Sequence, residues 1–366
     1  MSEGREQVGA GFKPAPTDAL DQNRRRPPKF TAPRIDMSHG AGGKATHKLI
    51  EGLLLPAFDN PALAPLADAA TLPFGDARIA LTTDSYVVRP LVFPGGSIGE
   101  LAVNGTVNDL AVSGATPLAL SAALIVEEGL ETEALTHEIE AMAAAATNAG
   151  VSIATGDTKV VERGKADGLY ITTTGVGIAD PELILSSASV RPDDKILCSG
   201  TLGDHGAAIL IARGDLELEA EVHSDTRVLT PLVRVLEEAA GSGLRFMRDP
   251  TRGGLGTVLN ELARDSGYGV ALWEEKLPIR DVVHGACEIL GIDPLYVANE
   301  GKLLAVVAPE AADIALEALR RVEGGEEAEI IGEIREEPER MVLMHTRFGG
   351  ARMIDMLVGD PLPRIC

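Results

Sequence analysis

The sequence closes on Pro361-Leu362-Pro363-Arg364-Ile365-Cys366, which puts a thiol at its last position. The two prolines fix φ and favour an extended polyproline path, so this arm is expected to project at about 3.1 Å per residue. Thiolate is the nucleophilic form of cysteine, and the local pKa sets its abundance. Arg364 favours that form, whereas a terminal carboxylate opposes it. We expect Cys366 to be a covalent carrier, loaded in one place and processed in another. The bland alternative is a disordered terminus that happens to end on cysteine. Prenylation is excluded, because its signal needs cysteine four residues from the end.

Four aspartates supply a second chemistry. Asp84 follows Thr82-Thr83, Asp109 follows Asn108, Asp157 lies in Gly156-Asp157-Thr158-Lys159, and Asp249 precedes Pro250. Hard cations such as magnesium take oxygen ligands of this kind and leave positions open to water and phosphate. Any one of them alone suggests a cap or turn. Four at expected strand ends or helix starts, spread over both halves, point to a shared metal–nucleotide site. His39-Gly40-Ala41-Gly42-Gly43-Lys44 precedes an amphipathic stretch at 45–58, where backbone N–H groups and a helix N-terminus could approach a phosphate. It is not a Walker A loop, since the GxxxxGK[ST] spacing fails.

These residues need elements to carry them. A strand is expected over 77–88 and a helix opened by Ser97 through Asn108 and Asp109. A glycine inside a helix costs about 1 kcal/mol against alanine, so Gly105 suggests that something approaches closely there. An apolar strand over 119–126, a helix over 131–148 stopped by Gly150 and a strand over 151–155 follow, with a strand at 169–178 closing a mixed α+β unit. Residues 181–194 read as a boundary. A second unit runs from a strand at 195–199 through helices near 203–211, 229–240, 255–265, 281–290 and 311–321, with a strand at 303–307.

At 366 residues the chain is long enough for two domains with full cores. Its net charge is −22, from 33 basic and 55 acidic side chains. Residues 1–34 hold 7 basic and 4 acidic groups, so the remainder carries −25. That balance argues against non-specific nucleic-acid binding, which depends on phosphate contacts. It also means that an anionic nucleotide would need bound cations. The three cysteines, Cys198, Cys287 and Cys366, have neither zinc-site nor disulfide spacing. Cys198 and Cys287 are expected to be buried small hydrophobes. No signal peptide and no membrane-length apolar run are present, so a cytoplasmic protein is expected.

Eight stretches together resemble the HypE family of hydrogenase maturation proteins: HGAGGK at 39–44, TTDSYVV at 82–88, VNDLAVSGA at 107–115, TGDTKVVERG at 155–164, SGTLGDHGA at 199–207, DPTRGG at 249–254, ANEGK at 298–302 and PRIC at 363–366. The resemblance runs from about residue 35 to the end. It implies an α+β, two-domain fold like that of aminoimidazole ribonucleotide synthetase (PurM-like). The implied division is a disordered leader at 1–34, an ATP-binding and dimerisation domain at 35–180, a C-terminal α/β domain at 190–350 and a mobile tail at 351–366. Also implied is a homodimer formed by pairing of the N-terminal sheet.

The same resemblance implies the reaction. A HypF-type carbamoyltransferase loads the thiol of Cys366, ATP drives dehydration of the thiocarbamate to a thiocyanate, and a HypC–HypD complex receives the cyano group for the iron of [NiFe] hydrogenase. It places magnesium and triphosphate near Asp84, Asp109, Asp157 and Asp249. His39 and Lys44 would close over the phosphates, with Gly42, Gly43, Asn108, Gly156 and Thr158 in the nucleotide site. Glu300 is the candidate base and Lys159 the candidate for steadying oxyanion charge. For His205, at a helix start, a contact to the tail stands beside a purely structural role; Arg252 is weighed as a contact for phosphate or tail. A selenophosphate synthetase would keep its reactive cysteine near the glycine-rich loop, and here that loop has none. A non-catalytic scaffold with a docking tail is the remaining alternative.

Overall fold

The computed structural model describes residues 29–58, 60–214, 221–359 and 364–366. The expected leader up to residue 28, and Pro361, Leu362 and Pro363 of the expected arm, lie outside the described residues.

The first unit opens with helices α1 (Lys44–Leu49) and α2 (Leu55–Phe58), joined by a wider π-type turn over Ile50–Leu54. Strands β1 (Ala70–Phe74), β2 (Ala77–Tyr86), β3 (Val92–Phe93) and β4 (Gly96–Ser97) follow, then α3 (Ile98–Val112), β5 (Ala115–Glu127), α4 (Thr132–Ala149), β6 (Ser152–Val161) and β7 (Leu169–Ala179). Five of these strands form one sheet in the order β1-β2-β7-β5-β6. In β2 the alternation that marks a strand puts Ala80, Thr82 and Tyr86 inward and Leu81, Thr83 and Ser85 outward. Helix α4 stops at Gly150, whose φ of 69° is the left-handed cap a glycine supplies at little cost.

Helix α3 is the centre of the molecule. Every residue in it except Glu100 and Asp109 is buried, as expected of a helix packed on all sides. Leu101, Val103 and Val107 join the core under the first sheet, while Ala111 and Val112 join a core of the second unit. Gly105 faces the Tyr86 hydroxyl, where a β-carbon would collide. This is the close approach the mid-helix glycine suggested.

The second unit contains β8 (Lys195–Cys198), α5 (Asp204–Arg213), α6 (Thr230–Ala240), β9 (Leu244–Arg248), α7 (Gly254–Ser266), β10 (Gly269–Trp273), α8 (Asp281–Leu290), β11 (Leu304–Val307), α9 (Ala312–Arg320), β12 (Glu329–Arg335), β13 (Val342–His345) and β14 (Ala351–Ile354). Its sheet runs β14-β13-β10-β12-β8-β11-β9. All of β11 is buried, consistent with an interior strand covered on both faces.

Three expectations change. Residues 351–354, assigned to the mobile tail, pair antiparallel with β13 as an edge strand. Residues 29–34, assigned to the leader, include Phe30, whose N–H donates to the Gly52 carbonyl and whose ring meets His39 edge-on at 5.5 Å. The Gly156–Lys159 motif lies inside β6 rather than after it. A β-carbon on Gly156 would strike the Ala122 carbonyl, so glycine is what lets the strand continue at that spacing. No helix among the described residues is long and apolar enough to cross a membrane.

Candidate active site

The last three residues run beside the end of β2 like an added strand. The Val87 N–H donates to the Cys366 main-chain oxygen (3.2 Å) and the Arg89 N–H to the Arg364 carbonyl (3.3 Å). Arg364 pairs with Asp167, and Arg213 donates to the Arg364 carbonyl. Between these contacts the Ile365 side chain, only 3% exposed, enters the apolar core formed by α3 and the first sheet. This burial is worth about 1.5–3 kcal/mol. Cys366 packs against the same core.

Docking brings the Cys366 thiol beside the Glu300 carboxyl. Burial, with the Glu300 and Asp84 charges, pushes the thiol up to about 12 against the opposing charge of Arg252. Glu300 is buried and its Oε1 lacks a hydrogen-bond partner. Its pKa lies well above the carboxylate range, first from burial and then from the Asp249, Asp225 and Asp84 charges, which Arg252 partly offsets. A cleft of about 380 Å³ adjoins the thiol and is lined by Cys366, Arg252, His39 and Tyr296 among others. Arg252 donates to the Gly40 carbonyl at 3.2 Å and so ties the glycine-rich loop to this cleft.

The loop carrying Glu300 is locked from both sides. Asn299 Oδ1 accepts from the Gly203 N–H (2.7 Å), and its Nδ2 donates to the Pro250 carbonyl (2.9 Å). The Glu300 N–H donates to Asp225 Oδ1 at 3.1 Å. Loops from three parts of the second unit therefore set the carboxyl in place.

Beside Glu300 lies an acidic cluster. Carboxylate oxygens of Asp68, Asp109 and Asp249 come within 4.8 Å of one another. Asp109 is raised well above its ordinary value by burial and by the Asp84, Asp249 and Asp68 charges, against a 2.7 Å hydrogen bond from Thr82. Asp249 is raised well above by burial and by Asp68 and Asp84, with Arg248 opposing. Convergent carboxylates that resist joint ionisation are a donor set suited to a hard divalent cation. Asp68 was missed by the sequence reading. It belongs to this cluster because Arg248, next to Asp249 in sequence, donates to it at 2.7 Å. The same arginine donates to Glu261 at 2.8 Å, and Glu261 meets His47 of α1 at 2.7 Å. The network thus joins the aspartates to the helix behind the glycine-rich loop.

Several expected site residues stand elsewhere. Asp157 and Lys159 pair with each other at 2.8 Å on exposed β6. Asp84, Thr173 and Ala122 lie on one rung of the sheet, and Gly156 continues it. Asp157 is therefore about three strand spacings, roughly 14 Å, from Asp84 within one chain. It cannot join the other aspartates as a ligand in the same subunit. Gly156 and Thr158 share that exposed edge. Asn108 instead holds the two units together: Oδ1 accepts from the Leu229 N–H (2.8 Å), and Nδ2 donates to the Arg227 (2.9 Å) and Glu300 (3.3 Å) carbonyls. That leaves it no donor for a nucleotide. In the glycine-rich loop the Gly42 N–H donates to Thr46 Oγ1 (3.0 Å) and the Lys44 N–H to the Leu357 carbonyl (2.9 Å). Gly43 has no room for a β-carbon against the same carbonyl. Lys44 pairs with Asp355 at 2.5 Å, and His39 Nδ1 lies 3.0 Å from Asp36. Cys198 and Cys287 are buried, as expected.

Family models for AIR synthase related proteins match both units, the N-terminal domain over 66–179 and the C-terminal domain over 191–344. The carbamoyl dehydratase HypE of Bradyrhizobium diazoefficiens is 53% identical over 332 residues, covering 91% of this chain and 96% of that protein. A solved HypE–HypF complex contains a chain of 46% identity and TM-score 0.80, with 84% of this chain and 99% of that one covered. HypE solved in complex with ATP is 45% identical, with TM-score 0.76 and coverage of 90% and 99%.

Proposed function

The chain belongs to the HypE family of carbamoyl dehydratases, and from that premise we propose how its own residues carry out the reaction. It is an ATP-dependent enzyme of hydrogenase maturation that dehydrates an S-carbamoyl group to a thiocyanate. The group rides on Cys366. The observation that carries this reading is the thiol of Cys366 held at the Glu300 carboxyl, beside the cluster of Asp68, Asp109 and Asp249.

An amide oxygen is a poor leaving group. Transfer of the ATP γ-phosphoryl to the carbamoyl oxygen converts it into phosphate and costs the nitrogen one proton. Loss of that phosphate, with the second N–H proton, leaves S–C≡N. The overall balance is thiocarbamate and ATP to thiocyanate, ADP and phosphate. Glu300 takes a nitrogen proton: a buried carboxyl with a raised pKa is a stronger base than a solvated one once ionised. Arg252 offsets negative charge next to the sulfur. Asp68, Asp109 and Asp249, with Asp84, would hold magnesium, which supplies charge neutralisation for the triphosphate. Lys44 would exchange Asp355 for phosphate, and His39 would close the cleft from the glycine-rich loop.

Lys159 and Asp157 are out of reach within one chain, so we assign them to a second copy. Strand β6 is an exposed edge carrying Ile153 and Val160, and the open sheet face adds Leu81 and Ile125. Such an edge and face favour pairing with another sheet. In a homodimer joined there, Lys159 would serve the site of its neighbour. A HypF-type enzyme loads the thiol and a HypC–HypD complex accepts the cyano group. All three cysteines are free, which suits a reducing, ATP-containing cytoplasm.

The test is the mass of the peptide ending at Cys366. With partner, carbamoyl phosphate and ATP it gains a carbamoyl group, and further ATP turnover removes one water. Cys366→Ala must lose both changes and keep ATP binding. Loading of Cys366→Ala would refute the carrier role.

A further inference from the structure

The catalytic reading leaves a fully buried histidine unused. His205, the second residue of α5, is 0% exposed, and its ring meets Phe93 edge-on at 5.6 Å. Both ring nitrogens have partners. Nε2 lies 2.8 Å from the Ile365 carbonyl and Nδ1 lies 2.8 Å from Ser224 Oγ.

The tautomer follows from these partners. A carbonyl only accepts, so Nε2 must carry the proton. Ser224 Oγ already accepts from the Thr226 N–H at 3.1 Å, and its own proton is free to go to Nδ1. Ser224 is itself tethered, its N–H donating to the Pro94 carbonyl at 2.7 Å. The result is a single N–H donor, held by a chain of hydrogen bonds and aimed at the peptide just before the reactive cysteine. With the tail away, that donor loses its carbonyl acceptor.

We propose that His205 is a positioning residue that fixes the register of the docked tail, so that Cys366 and no other residue meets Glu300. This inference rests on the dehydratase reading given above. Val87 and Arg89 engage alternate tail residues on one side, and His205 engages the carbonyl between them on the other. A slip of one residue would turn Ile365 out of the apolar core and aim the wrong group at His205. The contact uses main chain only, so it stays available whether the thiol is free, carbamoylated or cyanated.

The experiment measures alkylation of Cys366 by a bulky maleimide in the full chain, without ATP or partner. His205→Leu removes the donor, and His205→Gln keeps an N–H donor near the Nε2 position. His205→Leu is expected to raise the labelling rate about tenfold, equivalent to about 1.4 kcal/mol. His205→Gln should stay within about twofold of wild type, because a hydrogen bond to the carbonyl is retained. Labelling of His205→Leu at the wild-type rate would overturn the proposal. So would a His205→Gln protein as fast as His205→Leu, since a merely structural histidine would not be rescued by the donor. Should His205→Leu fail to fold, Ser224→Ala provides the second reading: faster labelling supports the proposal and an unchanged rate overturns it. Normal docking in a chain that never dehydrates its carbamoyl group would instead defeat the dehydratase reading and leave the docking role standing.

Discussion

The thiol of Cys366 lies beside the buried Glu300 carboxyl, although one lies in the tail and the other in a loop of the second unit. The pairing is unfavourable for charge on either partner. Burial raises both groups, and the Glu300 charge raises the thiol further. A thiol held there is a poor nucleophile, which suits a site that processes a loaded sulfur rather than loads it. The proposed loading is therefore expected with the tail undocked.

That separation gives a pH prediction. The docked thiol sits at about 12, whereas a free cysteine titrates near about 8.5. Docking therefore favours the protonated form. Its full strength is present below the free-thiol value and declines as pH rises from there towards the docked value. Protection of Cys366 from alkylation, relative to a free peptide of the same sequence, should fall between pH 8 and 10. A protection ratio independent of pH would contradict the buried-thiol geometry.

The Arg364–Asp167 pair latches the outer part of the tail. Burial works to raise Asp167, but hydrogen bonds from Tyr170 and Arg364 and the charges of Arg364 and Arg89 hold it below its ordinary value. Its contribution is complete above the unfolded value of 3.8 and is lost as pH falls through the lower folded value. Around neutrality, salt is the lever. Asp167→Asn should raise labelling of Cys366 a few-fold at low salt, and the difference should shrink near 1 M, where screening lengths are about 3 Å. A difference unaffected by salt would show that the latch is not electrostatic.

Asp68 should behave as a ligand and Arg248 as its tether. Asp68→Asn is expected to weaken magnesium binding at least about tenfold, and Arg248→Lys, a change behind the ligand, by about 10–100-fold. Calorimetric titration of magnesium in the absence of nucleotide checks both. Wild-type affinity in Asp68→Asn would remove it from the site.

Lys159 is assigned across the proposed homodimer, which mixing tests. Lys159→Ala and Cys366→Ala chains should each be inactive alone. Refolded together in equal amounts they should recover about a quarter of wild-type activity, since half the pairs are mixed and one site in each is complete. No recovery would return Lys159 to its own subunit or remove it from the chemistry.

Much of the frame was legible in the sequence because it follows from local chemistry. Gly150 ends α4 as its position implies, and the alternation of β2 names its buried face. The cost of Gly105 inside a helix foretold the contact with Tyr86. What was hidden arises from pairing across long distances. Asp68 stands among alanines and leucines with no polar neighbour to mark it, and only Arg248 brings it to the cluster. Asp157 looked like a loop ligand because Gly-Asp-Thr commonly turns the chain, yet Gly156 there serves close strand packing. The tail's prolines were visible, but its docking depends on main-chain groups met by Val87, Arg89 and His205, which no side-chain motif advertises.

The most direct measurement is single-turnover dehydration of chain already carbamoylated on Cys366, comparing wild type with Glu300→Gln. Substitution of a general base typically costs about 10²–10⁴-fold, so the variant should keep ATP binding and the carbamoyl mass while almost no thiocyanate forms. Thiocyanate appearing on Glu300→Gln at the wild-type rate would contradict the account at its centre.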